Sequence, residues 1–244
     1  KARRDEARKA HQEALDAGDF ALAQKMAQRI ISYTPEMVAE TKQLLDLLGV
    51  PWVAAKAEGE GQAAVMARIG QLDAVATQDW DALLYGTPVL IRNMMTAGNK
   101  QHGRVVKAQK IILADLLGEH DLSTDQLIDL AIMIGTDFHP GIRGIGPKTG
   151  IKLIKQFGNI ETICAEKDKH IPQRLDEIRE IFRNHPSNEV PSEALQMGEI
   201  DVAGLKQFLQ IDRQFSQRRM DNAMEKLTQA GLIRESGQTS LFSF

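Results

Sequence analysis

The chain has 244 residues, 43% hydrophobic and 26% charged, with a formal net charge of −3. That composition suits one large globular domain or two modest ones, and nothing in it approaches the ~18-residue apolar run of a membrane-spanning helix. No charged-then-apolar signal segment is read at its start, the slight negative charge argues against indiscriminate coating of nucleic acid, and a single cysteine, Cys164, excludes an internal disulfide and fits a reducing compartment. Residues 1–32 alternate charge and alanine and read as two helices broken near Gly18-Asp19, with a basic start at Arg3, Arg4, Arg8 and Lys9. A third helix begins where Thr34 caps, Pro35 takes the first helical position and Glu36 complements the dipole. Gly49 stops it. Residues 50–53 are a short strand candidate, and "AKAEGEGQAAVMARIG" is a loop running into a helix with Glu58 and Glu60 at its start.

Residues 73–77 and 88–92 read as further strands. Strands alternating with helices predict an α/β protein with a mostly parallel sheet flanked by helices. Residues 93–110 are polar and read as a mobile connection. From Leu122 onward the pattern is helical: Ser123 or Thr124 caps "DQLIDLAIMIG", "PKTGIKLIKQFG" follows, and Cys164 falls on a half-buried helix. Residues 166–200 are legible only as helix and loop. "DRQFSQRRMDNAMEKLTQAG" is a last amphipathic helix, and "ESGQTSLFSF" has no periodicity.

Two carboxylates side by side, Asp79 and Asp81, need a reason. At an effective dielectric of ~20, unit charges ~4 Å apart repel by about 4 kcal/mol. The bland alternative is a loop whose side chains splay into water. Glu58-Gly-Glu60 at a helix start, Asp79-Trp-Asp81 after a strand and Asp137 after an apolar helix form a set. Carboxylates delivered from separate segments to the strand ends of an α/β sheet converge on hard cations. Two such ions suit phosphodiester hydrolysis. No zinc-type His/Cys spacing is present. His139, beside Asp137, reads as a turn residue.

The stretch "GIRGIGPKTGIKLIKQFG" joins Gly141, Gly144 and Gly146 to a helix opened by Pro147, and adds Arg143, Lys148, Lys152 and Lys155. Glycines, a helix N-terminus and cations together can hold a DNA phosphate backbone without reading bases. A packing hairpin is the structural alternative.

Taken in order, "AEGEGQAA", "ATQDWDALLYG", "IGTDFHPGIRGIGPKTGIKLI" and the terminal "QTSLFSF" resemble the flap endonucleases of the archaeal or eukaryotic type. The resemblance covers residues 33–165 well and 205–244 fairly, and is thin over 166–200. It implies a PIN-like 5′ nuclease core and a magnesium-dependent 5′ flap endonuclease with 5′-3′ exonuclease activity in DNA replication and repair. Glu58, Glu60, Asp79, Asp81 and Asp137 would serve two Mg2+ ions. Gly135 matches a DNA-contacting position, and with Glu58, Asp137, Arg143, Gly144, Gly146, Lys148 and Lys152 makes the implied DNA surface. A helix–three-turn–helix is implied, with K+ at Gly141, Ile142 and Ile145. Gln238, Leu241 and Phe244 match the spacing of ligands of a PCNA-type sliding clamp, without the usual second terminal aromatic.

By the same resemblance residues 1–32 are part of a helical arch, 33–136 the metal-binding core, 137–236 the hairpin and C-terminal helices, and 237–244 the clamp tail. The chain departs from the pattern at Lys56-Ala57, where proline-serine is usual, and at Gly61, where alanine is usual. It opens at Lys1 inside a helical pattern. The resemblance therefore implies an upstream segment with two further metal-binding aspartates, and residues 1–244 alone are expected to cleave no flap. Rival readings are another repair nuclease of the superfamily, or a non-catalytic DNA and clamp adaptor. An archaeal cytoplasm or a eukaryotic nucleus is the expected location.

Overall fold

A computed structural model describes residues 2–30, 33–101 and 104–233. Two compact units divide the chain: residues 1–52 with 193–244, and residues 53–192. Compactness thus groups 53–192 together across the boundary that the motifs place at 136.

In the first unit, α1 (Ala2–Asp16) and α2 (Phe20–Ile30) lie against one another and bury Ala7, Ala14, Ala23 and Met26. They break at Gly18, as the sequence predicts. The helix α3 (Pro35–Leu47) starts as expected, with the Thr34 hydroxyl accepting from the Met37 N–H at 3.2 Å. Its end joins the approach to α11 (Val202–Lys206), where the Gly198 and Asp201 amides donate to Gly49 O and Leu47 O at 2.7 and 2.9 Å. After α11 come a π-helical turn, Gln207–Asp212, and α12 (Gln217–Gln229), capped by Ser216. Residues 50–53 form no strand. Pro51 has no N–H to give to a ladder.

The second unit carries all five acids. The helix α4 (Gly59–Arg68) is followed by β1 (Val75–Ala76), α5 (Asp81–Leu84) and β2 (Val89–Arg92). A small hairpin pairs β3 (Lys100–Gln101) with β4 (Arg104–Val105), and β5 (Gln109–Ile112) runs directly into α6 (Leu113–His120). The stretch expected as a mobile connection is therefore partly strand. The sheet order is β1-β2-β5, with Val75 opposite Leu90 in parallel and Leu90 opposite Ile111 in antiparallel. The α/β class holds, and the sheet is mixed rather than mostly parallel. Its helix-facing side is packed with Val75, Ala82, Leu83, Leu90 and Leu113.

Beyond it stand α7 (Thr124–Ile134), α8 (Pro147–Phe157), α9 (Ile160–Glu166) and α10 (Leu175–Arg183). Ser123 and Gln126 close a capping box at α7: the Ser123 hydroxyl accepts from the Gln126 amide at 3.1 Å, and the Gln126 side chain accepts from the Ser123 amide at 2.9 Å. These helices share a core of Ile128, Ile132, Met133, Ile154, Ile160, Ile163 and Phe182. Cys164 is fully within it, deeper than half-buried, and burial pushes its thiol pKa up. A buried cation ties the helices together. Arg179, on α10, donates Nε and Nη2 to the two oxygens of Asp129 on α7 at 2.7 and 2.8 Å. It also donates to both oxygens of Glu161 on α9, at 2.6 and 2.9 Å.

Candidate functional site

All five candidate acids line one narrow cleft of about 20 Å³, together with Tyr85 and Phe138. They arrive from three segments of the chain. Glu58 is the residue before α4, and Glu60 lies in its first turn, so both stand at the positive end of the helix dipole. Asp81 opens α5 in the same sense. Asp79 is fixed by two bonds: its Oδ1 accepts from the Asp81 amide at 3.0 Å, and its own amide donates to the Thr77 hydroxyl at 3.1 Å. That hydroxyl donates in turn to Glu60 Oε1 at 3.2 Å, which links two of the acidic motifs. Between the aspartates, Trp80 lies under the Arg92 guanidinium, 3.9 Å from the ring centre, and Arg92 donates to Gln78 O at 2.9 Å. The loop is clamped rather than splayed.

Asp137 comes from the connection between α7 and α8. There Thr136 and His139 form a bridge, the Gly141 amide donates to His139 Nδ1 at 3.1 Å, and the Ile142 amide donates to Met133 O at 2.7 Å. His139 is a turn residue, as the sequence predicts. Gly141 has φ +89°, and a β-carbon there would stand 2.4 Å from Ile134 O, so only glycine lets the chain turn this close to α7.

Asp81 registers the crowding. Burial, followed by the charges of Asp79, Asp137, Glu60 and Glu58, pushes its carboxyl from 3.8 up to about 6. Its low-dielectric flank is an apolar hollow of about 530 Å³ lined by Leu83, Leu84, Leu116, Leu130 and Ile134 among others. Burial, followed by the charges of Glu58, Asp81, Glu60 and Asp79, raises the Tyr85 phenol. The donor set is all oxygen and its negative potential is uncompensated, which fits hard divalent cations in kind. Among the described residues, no three Asp, Glu, His or Cys side chains stand at the spacing of ligands to one ion. The cleft gathers the acids without closing them around a point.

A stability test follows from the sign of that shift. For Asp81 the folded state binds the proton more tightly than the unfolded chain, so its ionisation costs stability as pH rises from about 4 to about 6. Without divalent cations, Asp81→Asn is expected to raise the melting temperature at pH 7 by ~2–4 °C, from about 1 kcal/mol after allowing for partial solvent screening. The gain should vanish toward pH 4. Equal melting of both proteins at pH 7 in EDTA would refute the repulsion.

The hairpin residues fall outside the cleft. Arg143, Gly144, Lys148, Lys152 and Lys155 are exposed, and Gly146 caps α8 without any side-chain bond to its free amides. Gly135 ends α7 with φ +128°. Of the residues matched to a monovalent-cation site, Ile145 is buried, and Ile142 O already accepts from the Ile145 amide at 3.0 Å. Gln238, Leu241 and Phe244 lie outside the described residues. Sequence reasoning missed Tyr85 and Phe138 as cleft residues and Thr77 as the partner of Glu60, although all three sit inside the quoted motifs.

A fold of this kind, carrying acids from three segments into one cleft, matches the XPG I-region family over residues 49–137. The flap endonuclease 1 of Methanoculleus marisnigri is 38% identical over 231 residues, 93% of this chain and 67% of that protein. That of Pyrococcus abyssi is 38% identical over 247 residues, 99% of this chain and 70% of that protein. The solved flap endonuclease-1 of Methanococcus jannaschii superposes with a TM-score of 0.68 at 36% identity, covering 86% of this chain and 62% of that one. The chain belongs to the flap endonuclease 1 family. It spans about two thirds of the length of these relatives.

Proposed function

We propose that the chain is the metal-binding and duplex-holding part of a structure-specific 5′ flap endonuclease of DNA replication and repair, with 5′-3′ exonuclease activity on the same site. The observation that carries this is the convergence of Glu58, Glu60, Asp79, Asp81 and Asp137 on one cleft. Magnesium ions held there would supply Lewis-acid chemistry for phosphodiester hydrolysis. The chain's own residues do the rest. Thr77 orients Glu60, the Asp81 amide orients Asp79, and the α7–α8 connection holds Asp137. Tyr85 and Phe138 wall the cleft against bulk water.

On this reading residues 1–32 form part of the arch, 33–136 the core and 137–236 the hairpin with the helices after it. The hairpin holds duplex phosphates. The free amides at the start of α8 donate to a phosphate oxygen, with Lys148, Lys152 and Arg143 around it and Gly135, Gly144 and Gly146 allowing close backbone approach. K+ at the carbonyls of Gly141, Ile142 and Ile145 would stiffen this grip. Lys148→Ala is expected to weaken binding to duplexes of all sequences about equally, and to reduce the slope of log affinity against log salt by roughly one unit. A sequence-dependent loss, or none, would return the hairpin to a packing role.

The tail is assigned to a PCNA-type sliding clamp, with Leu241 and Phe244 filling an apolar pocket and Gln238 bonding at its rim. Calorimetry of a peptide of residues 236–244 against a clamp reads this directly. No heat at high micromolar concentration would sink it. Cleavage of a 5′-flap duplex in magnesium by the gene product tests the whole reading, and flap binding without any cleavage would favour a non-catalytic adaptor.

A further inference from the structure

After α10 the chain turns back along α4. Gln62, in the first turns of α4 and 3% exposed, meets the backbone of Asn188 with both ends of its amide. Its Nε2 donates to Asn188 O at 3.0 Å, and its Oε1 accepts from the Asn188 amide at 2.7 Å. The Asn188 side chain donates to Ala54 O, just upstream of α4, and Gln71, just downstream, donates to Val190 O. Residues 185–190 are thus bonded before, within and after one helix.

The closest fit is at His185. Its ring lies on Gly61, where a β-carbon would stand 2.4 Å from ring Cδ2 and 2.5 Å from Nε2. The ring also packs edge-on against Tyr85 of the acid cleft, 5.0 Å between centres. His185 is 7% exposed, and neither ring nitrogen has a hydrogen-bond partner. An imidazole seated this tightly on a glycine fills its notch by shape. Gly61 shares a helical turn with the two glutamates: the Gln62 amide donates to Glu58 O at 3.1 Å, and Glu60 is its neighbour in the chain.

We propose that residues 185–190 are a positioning strap for the acid cleft, in which His185 seats in the notch left by Gly61 and sets the first turn of α4, with Glu58 and Glu60 on it. The inference rests on the reading of these acids as cation holders. Cation–oxygen distances tolerate only a few tenths of an ångström, so a small lift of this turn spoils both carboxylates. The bland alternative is that the contact contributes packing alone.

Gly61→Ala, His185→Ala and the double variant decide between them. In cation-free protein, hydrogen exchange at the Gln62 amide is expected to quicken about tenfold in each single variant and to return within about threefold of the original in the pair, where a methyl refills the notch. Calorimetry with Mn2+ is expected to show the same pattern, with affinity lost about tenfold in the single variants and regained in the pair. If Gly61→Ala alone does not fold, His185→Ala against the pair carries the comparison. Lower melting temperatures with unchanged exchange and unchanged Mn2+ affinity would overturn the strap, as would a pair no better than the single variants. If the original protein takes up no Mn2+ while the exchange pattern holds, the strap stands and the cation reading of the acids falls.

Discussion

Asp79→Asn or Asp137→Asn in the gene product is expected to lower magnesium-dependent flap cleavage by about 10³-fold or more, while flap binding stays within a few-fold. Lewis-acid stabilisation of a phosphoryl transition state is worth several kcal/mol, and each 1.36 kcal/mol is tenfold in rate. Interactions that strengthen only in the transition state affect turnover rather than ground-state binding. Both side chains are exposed, and the asparagine carbonyl at 79 can still accept from the Asp81 amide, so folding should be nearly unaffected. Single-turnover cleavage and a thermal melt, run together, separate the two outcomes. Near-normal cleavage by either variant would remove these residues from the chemistry.

Arg179→Met is expected to destabilise the protein by about 3–5 kcal/mol, because it leaves the Asp129 carboxylate buried without its cation. Asp129 and Arg179 side chains are 4% and 8% exposed, so water cannot take the place of the missing partner. Neighbouring groups register the strength of the pairing: Arg179 holds the Glu161 carboxyl below its ordinary range, chiefly through their hydrogen bonds. Removing both members, in Arg179→Met with Asp129→Leu, should recover much of the loss. Urea denaturation measures each step. A single variant as stable as the original would mean that the network is worth little.

The acidic motifs were legible because each is short, sits at the start or end of an element, and brings its own local anchor. Glu58 and Glu60 open a helix, Asp81 opens another, and Asp79 bonds the backbone two residues on. Caps at Thr34 and Ser123 were legible for the same local reason. The junction of β5 and α6 was not. Ile112 passes from strand to helix with no capping side chain, glycine or proline to mark the change, so an apolar run conceals two elements. Strand direction was equally hidden, since β5 pairs antiparallel with β2 through contacts that no local pattern encodes. The service of residues 185–190 to α4 depends on partners more than 100 positions away: the Gln62–Asn188 pair spans 126.

The connection between α7 and α8 has one more property. Asp137 and the start of α8 are joined by one short path, and the Thr136–His139 bridge and the Ile142 and Gly141 amides cinch it, so these bonds fix the spacing between them. If Asp137 addresses the phosphate that is cut and the α8 end addresses one that is held, this path is a ruler. On that reading it would set the number of nucleotides between grip and incision. A residue inserted between Pro140 and Pro147 would then be expected to shift the product by a whole step on a sequencing gel.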